Sequence, residues 1–158
     1  GRSAIMLVPE IALTPQTNPE VELQQFLNTL STLIESKDMN NLEGIQAYFS
    51  EAYLAADDKV TLFAVATGVI PANFEKVIPS ITKLFETYDA IQFKFQDIQM
   101  DITHTRKASV KLKLDVITEK GPRPDRKEVT AECQIDFRKE ESGWKATFWQ
   151  LFKVEVHL

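Results

Sequence analysis

The sequence predicts an α+β fold, with about three N-terminal helices packed against a curved antiparallel meander of four strands. Two observations carry this. Between Ala90 and Leu158, four stretches alternate apolar and polar residues: Ile91–Phe95, Val110–Val116, Val129–Phe137 and Trp144–Val156. Period-two alternation makes a strand with one buried and one wetter face. Upstream, Leu23, Phe26, Leu27, Leu30, Leu33 and Ile34 recur at spacings of three and four, a single apolar stripe along a helix. The 158 residues suffice for one domain with a real core, expected over 19–158.

Residues 1–18 read as an extended arm or an appended segment, given Pro9 and Pro15. Pro9 and Glu10 interrupt the apolar run Ala4–Val8, so no signal-peptide pattern is expected. The string LVPEIALTPQ, Leu7–Gln16, closely resembles a motif of the primosomal replication-restart helicase family. In that family it follows a nucleotide-binding loop. The chain has only five glycines and no G-x-x-x-x-G-K-[ST] loop, so ATPase activity is assigned to no residue.

Asn18 can cap a helix, Pro19 suits its first position, and Glu20 and Glu22 favour the positive end of its dipole. This helix should run to about Ser36. Asp38 can cap a second helix with Leu42, Ile45 and Phe49 on one face, and residues 50–58 should turn. The run 60–70 (VTLFAVATGVI) has enough β-branched residues for a strand; its length and alanines favour a helix. Phe74, Val77, Ile78, Ile81, Leu84, Phe85 and Tyr88 have helical spacing, and Pro79 among them predicts a kink or two abutting helices.

In the first predicted strand the apolar parity switches from Ile91, Phe93 and Phe95 to Ile98, Met100 and Ile102. One extra residue near Gln96–Asp97, a β-bulge, accounts for the switch and bends the strand. Turns at 104–107, 121–125 and 140–143 join the strands as hairpins. In the last strand Trp144, Ala146, Phe148, Gln150, Phe152, Val154 and Val156 share one face, and Thr147, Trp149 and Leu151 share the other. Both faces are apolar at its centre. Trp149 and Leu151 are therefore the expected homodimer interface.

A net charge of −5 argues against nucleic acid as a partner. The basic residues Arg106, Lys107, Lys111, Lys113, Lys120, Arg123, Arg126 and Lys127 crowd one hairpin and fit an acidic protein partner better. No run of about 18 apolar residues exists, so no membrane span is expected. The single cysteine, Cys133, excludes an intrachain disulfide and should be a buried structural thiol. Two histidines, His104 and His157, lack metal-site spacing; neither a metal nor another cofactor is expected. The compartment is left open between the cytoplasm and a processed exported protein.

Phe26–Ile34, Lys37–Leu42, Tyr48–Ser50 and Ser142–Phe148, in that order, carry a resemblance to the nuclear transport factor 2-like (NTF2-like) superfamily, also called SnoaL-like or cystatin-like. It covers about residues 19–158. The resemblance implies a cone, with the helices inside a strongly curved sheet and a cavity at the open end. Its members include isomerases, cyclases, dehydratases and binding domains. Isomerase members use an Asp base with Tyr and protonated Asp donors; Asp115, Tyr48 and Tyr53 do not match that set residue by residue. The expected pocket residues are Phe26, Tyr48, Phe49, Tyr53, Phe63, Phe93, Phe95 and Phe148, with Gln134 and Gln150 as polar handles. The expected function is a non-catalytic domain, binding a small apolar ligand or a protein and paired as a homodimer. The alternative is an isomerase, cyclase or dehydratase with acid–base residues in the cone.

Overall fold

In the computed structural model, residues 18–123 and 125–157 are described. The elements are α1 (Pro19–Glu35), a 3-10 turn (Met39–Asn41), α2 (Leu42–Gln46), β1 (Phe49–Ala55), α3 (Lys59–Ala66), a second 3-10 turn (Phe74–Lys76), α4 (Val77–Thr87), β2 (Ala90–His104), β3 (Lys107–Lys120), β4 (Asp125–Glu140) and β5 (Gly143–His157). The sheet order is β1-β5-β4-β3-β2. Strands β2 to β5 form the antiparallel meander, and β1 adds a fifth strand parallel to β5. The helices cover one face, where the even residues 108–118 of β3 and the odd residues 131–137 of β4 are buried.

Helix α1 starts as its sequence dictates. Asn18 Oδ1 accepts from Val21 N at 2.9 Å, and Pro19 occupies the first turn. Asn18 is thus the helix cap, as its sequence position predicts; Leu7–Gln16 lies outside the described residues. The stripe Leu23, Phe26, Leu27, Leu30 and Ile34 is buried, each side chain contributing roughly 1.5–3 kcal/mol. The helix also covers the free edge of β2. The Ser31 hydroxyl donates to Phe93 O, and Glu35 Oε2 accepts from Phe93 N at 2.8 Å. An uncovered edge would invite pairing with another chain.

The first half differs from expectation in four places. The described residues form five strands, because Phe49–Ala55 is β1 rather than helix and turn. Its pairing slips between Phe49 and Leu54, so burial does not alternate and no period-two signal exists. Asp38 does cap, but a 3-10 turn, with Oδ1 2.9 Å from Asn40 N. Helix α2 is correspondingly short. The described residues form four α-helices, and α4 carries Pro79 within its first turn, where the missing N–H has no intrahelical partner, so the helix need not kink there.

The β2 bulge lies where expected: the register slips between Gln96 and Gln99, and Asp97 has φ 51°. Strand β5 has two more. Phe137 faces Ala146 while Asp136 faces Phe148, so Thr147 is extra; Cys133 faces Leu151 while Glu132 faces Lys153, so Phe152 is extra. Each bulge flips the parity. Trp144, Ala146, Trp149 and Leu151 consequently all point to the helices. Trp149 and Leu151 are 2% and 1% exposed, and this corrects the expectation that they form an outer interface.

Candidate ligand cavity

Helix α3 roofs the open end of the sheet, and its start is pinned there. Asp58 Oδ1 accepts from Thr61 N at 2.9 Å, and the Thr61 hydroxyl donates to Asp58 Oδ2 at 2.9 Å. These bonds hold the Asp58 carboxyl below the usual carboxylate range. The same hydroxyl accepts from Leu151 N at 3.0 Å. Strand β1 ends at Ala55, so Thr61 takes over as the partner of β5 beyond it. The helix terminates at Thr67–Gly68, where glycine adopts φ 82°.

Between α3, the end of α4 and the inner face of the sheet lies a cavity of about 180 Å³. Phe63, Ala64 and Leu84 form the helical wall; Phe93, Val116 and Leu151 form the sheet wall. Val129, Val154 and Val156 extend it toward the rim. Its polar side chains are Thr67, Tyr88, Thr118 and Lys127. No carboxylate or imidazole lines it among the described residues. A dry apolar cavity of about 150 Å³ holds a benzene ring, so this one is of single-ring size.

Deeper between the helices and the sheet the interior is filled. Trp149 lies 6.2 Å from Phe95 between ring centroids. Phe49 and Tyr53 stack edge to face at 4.8 Å. The Tyr53 hydroxyl donates to Pro71 O at 2.8 Å, and burial raises its pKa. Cys133 is buried, which pushes its thiol up to about 12 and keeps it unreactive near neutral pH.

Of the residues expected in the pocket, Phe63 and Phe93 line it. Phe49, Tyr53 and Phe95 are packed in the filled interior. Phe26 and Tyr48 meet at 4.7 Å at the other end of α1, beside an open groove at the β4–β5 turn. Gln134 is on the outer face, bonded to Asp136 Oδ1 at 3.0 Å; Gln150 bonds Asp58 Oδ2 at 3.1 Å; Phe148 faces outward opposite Asp136. All eight that do not line the cavity are corrections. The bulge at Thr147 turned Phe148 and Gln150 around, and Gln134 has even parity on a strand whose inner residues are odd. Thr118, Tyr88 and Lys127 were not anticipated. A polar residue on the apolar parity was the available signal: Thr118 continues Leu114 and Val116, and Lys127 continues Val129 and Ala131.

The titratable cluster of the sheet is on its outer face. Burial and a hydrogen bond with Glu128 raise the Asp115 pKa, with Glu128's charge adding to the effect; Lys113 and His157 oppose it. Asp115 Oδ1 is buried without a partner among the described residues. Thr130 Oγ1 lies 3.0 Å from His157 Nε2. These groups cannot reach the cavity, which is across the sheet. The basic residues of the β3–β4 hairpin are interleaved with acids, Lys113 facing Glu132, Arg126 facing Glu119 and Lys120 facing Asp125. No group of three or more acidic, His or Cys side chains suited to a metal occurs among the described residues, and no described helix is long and apolar enough to cross a membrane.

No family model and no curated protein sequence matches this chain. Solved structures do. A protein provisionally named a scytalone dehydratase, from Novosphingobium aromaticivorans, aligns over 88% of this chain and 87% of its own, with TM-score 0.69 at 10% identity. A provisionally named dehydratase of the NTF2-like family from Streptomyces avermitilis covers 87% and 94%, with TM-score 0.59 at 16% identity. A protein with a cystatin-like fold from Nostoc punctiforme covers 87% and 90%, with TM-score 0.59 at 13% identity. The fold is therefore NTF2-like, or cystatin-like. Nothing among the matches supports the helicase likeness of Leu7–Gln16.

Proposed function

We propose that this domain binds one small apolar molecule, a single ring or a short chain, in the cavity under α3, without converting it. The observation that carries the reading is the composition of the wall: apolar on all sides, with hydroxyls and one ammonium as its polar groups. Acid–base chemistry would need a carboxylate or imidazole in contact with the ligand. Asp115, Glu128 and His157 stand on the opposite face. The dehydratase names of two structural neighbours favour the enzyme alternative only through the fold, which hosts many functions.

Titration with toluene and indole, followed by thermal unfolding and by NMR of methyl groups, tests the reading. Saturable binding that shifts Leu151 and Val116, and that Ala64→Phe abolishes in a protein with unchanged circular dichroism, is the expected result. Failure of both probes to bind would sink it, and turnover of a hydroxylated substrate would move weight to the dehydratase alternative.

A second reading concerns pairing. The outer face carries Phe152, 48% exposed, beside Lys111, Lys113 and Lys153 and the carboxylates Glu132 and Glu155. An apolar centre ringed by both signs of charge is self-complementary under a two-fold axis. This supports a homodimer centred on Phe152 and the neighbouring Phe148.

A further inference from the structure

We infer that the cavity selects a small organic monoanion: one ring or a short alkyl chain ending in a single carboxylate, with the carboxylate held by Lys127, Thr118 and Tyr88. The inference rests on the cavity being a binding site and adds the class of its ligand.

Three observations carry it. First, three of the four polar side chains, all but Thr67, gather at one end. Thr118 and Lys127 face each other across β3 and β4, Ile91 faces Thr118 from β2, and Tyr88 directly precedes Asp89, whose N–H bonds Glu119 O at 2.8 Å. That end is the one at which the β3–β4 hairpin turns. The far end is Leu151, Phe93 and Val116. A ligand matching this lining has an apolar body and one polar terminus.

Second, Thr118 is only 8% exposed and lines the cavity, and its hydroxyl has no hydrogen-bond partner among the described residues. That hydroxyl is not shut off from solvent, so it is open to a group bound in the cavity. Third, Lys127 is the one charged side chain among the described lining residues. Its nearest carboxylate, Asp125, is 4.0 Å away, and both side chains are more than half exposed, at 53% and 65%. Such a contact is weak. The ammonium is available to an anion, and its methylene stem can lie along an apolar ligand.

Hexanoate and benzoate, compared with hexanol and benzyl alcohol by calorimetric titration at low salt, test the inference. The carboxylates should bind about tenfold tighter than the alcohols, the scale of one charge-assisted hydrogen bond. Lys127→Gln should remove that preference, weakening the carboxylates more than the alcohols. Thr118→Val should weaken all four ligands. Alcohols binding as tightly as carboxylates would overturn the anion assignment and leave the cavity's binding role standing. A carboxylate preference that survives in Lys127→Gln would overturn the role of Lys127. If none of the four binds, the proposed function itself falls.

Discussion

The carboxyl of Asp115 has one oxygen shut away from solvent and shares a hydrogen bond with Glu128, so its ionised form is disfavoured in the folded chain. Glu140 is the reverse case. Arg138 Nη2 donates to its Oε2 at 2.7 Å, Ser50 Oγ donates at 2.8 Å, and the Glu140 pKa is lowered. The two should titrate stability in opposite senses. The Asp115 penalty is present above its raised folded pKa and gone below its ordinary value. Asp115→Asn should therefore raise the melting temperature at pH 7, with the gain fading as pH falls into the carboxylate range. The Glu140 contribution is present above its ordinary pKa and lost as pH falls through the lowered one. Glu140→Gln should lower the melting temperature at pH 7 and approach neutrality in acid. Melting curves across pH check both, and a pH-independent difference would contradict either. Leu151→Ala should cost about 2–5 kcal/mol by chemical denaturation and also enlarge the cavity, so larger rings should gain affinity relative to toluene.

Among the elements, α3 depends most on a single side chain. Thr61 is fully buried, and its hydroxyl joins the helix cap to the β5 edge. Thr61→Val keeps the shape and leaves Leu151 N without its acceptor, a loss of about 1–3 kcal/mol. Hydrogen exchange should then accelerate at Leu151 and along Lys59–Ala66 while the β3–β4 amides keep their protection. Uniform acceleration would mean that α3 is no separate unit. How far each element could be foreseen follows from its pattern. The bulge in β2 was legible because Ile98, Met100 and Ile102 resume the apolar series on the new parity. The bulges in β5 were hidden because Phe148 and Phe152, both apolar, continue the old parity straight across them. Strand β1 was hidden because Phe49 and Tyr53, its buried aromatics, are four apart, as in a helix. The cavity was missed in its polar part, since Thr118 and Lys127 become pocket residues only once β3 and β4 are in register.

For the whole molecule, the two faces of the sheet separate two properties. Apolar volume and the proposed ligand selection belong to the inner face, and charge and proposed self-association to the outer. Phe152→Asp should convert a dimer to a monomer in sedimentation while leaving ligand affinity intact; a monomeric parent chain would end the dimer proposal. The parallel pairing of β1 with β5 has a consequence for how the chain is made. Thr61 and Leu151, like Ser50 and Glu140, are 90 residues apart in sequence. During synthesis β1 and α3 leave the ribosome long before the strand that completes them, and contacts this distant form late. The cavity is thus the last part of the fold to exist. A nascent chain halted before Gly143 should expose Phe49, Tyr53 and the inner face of α3 as a ready substrate for chaperones.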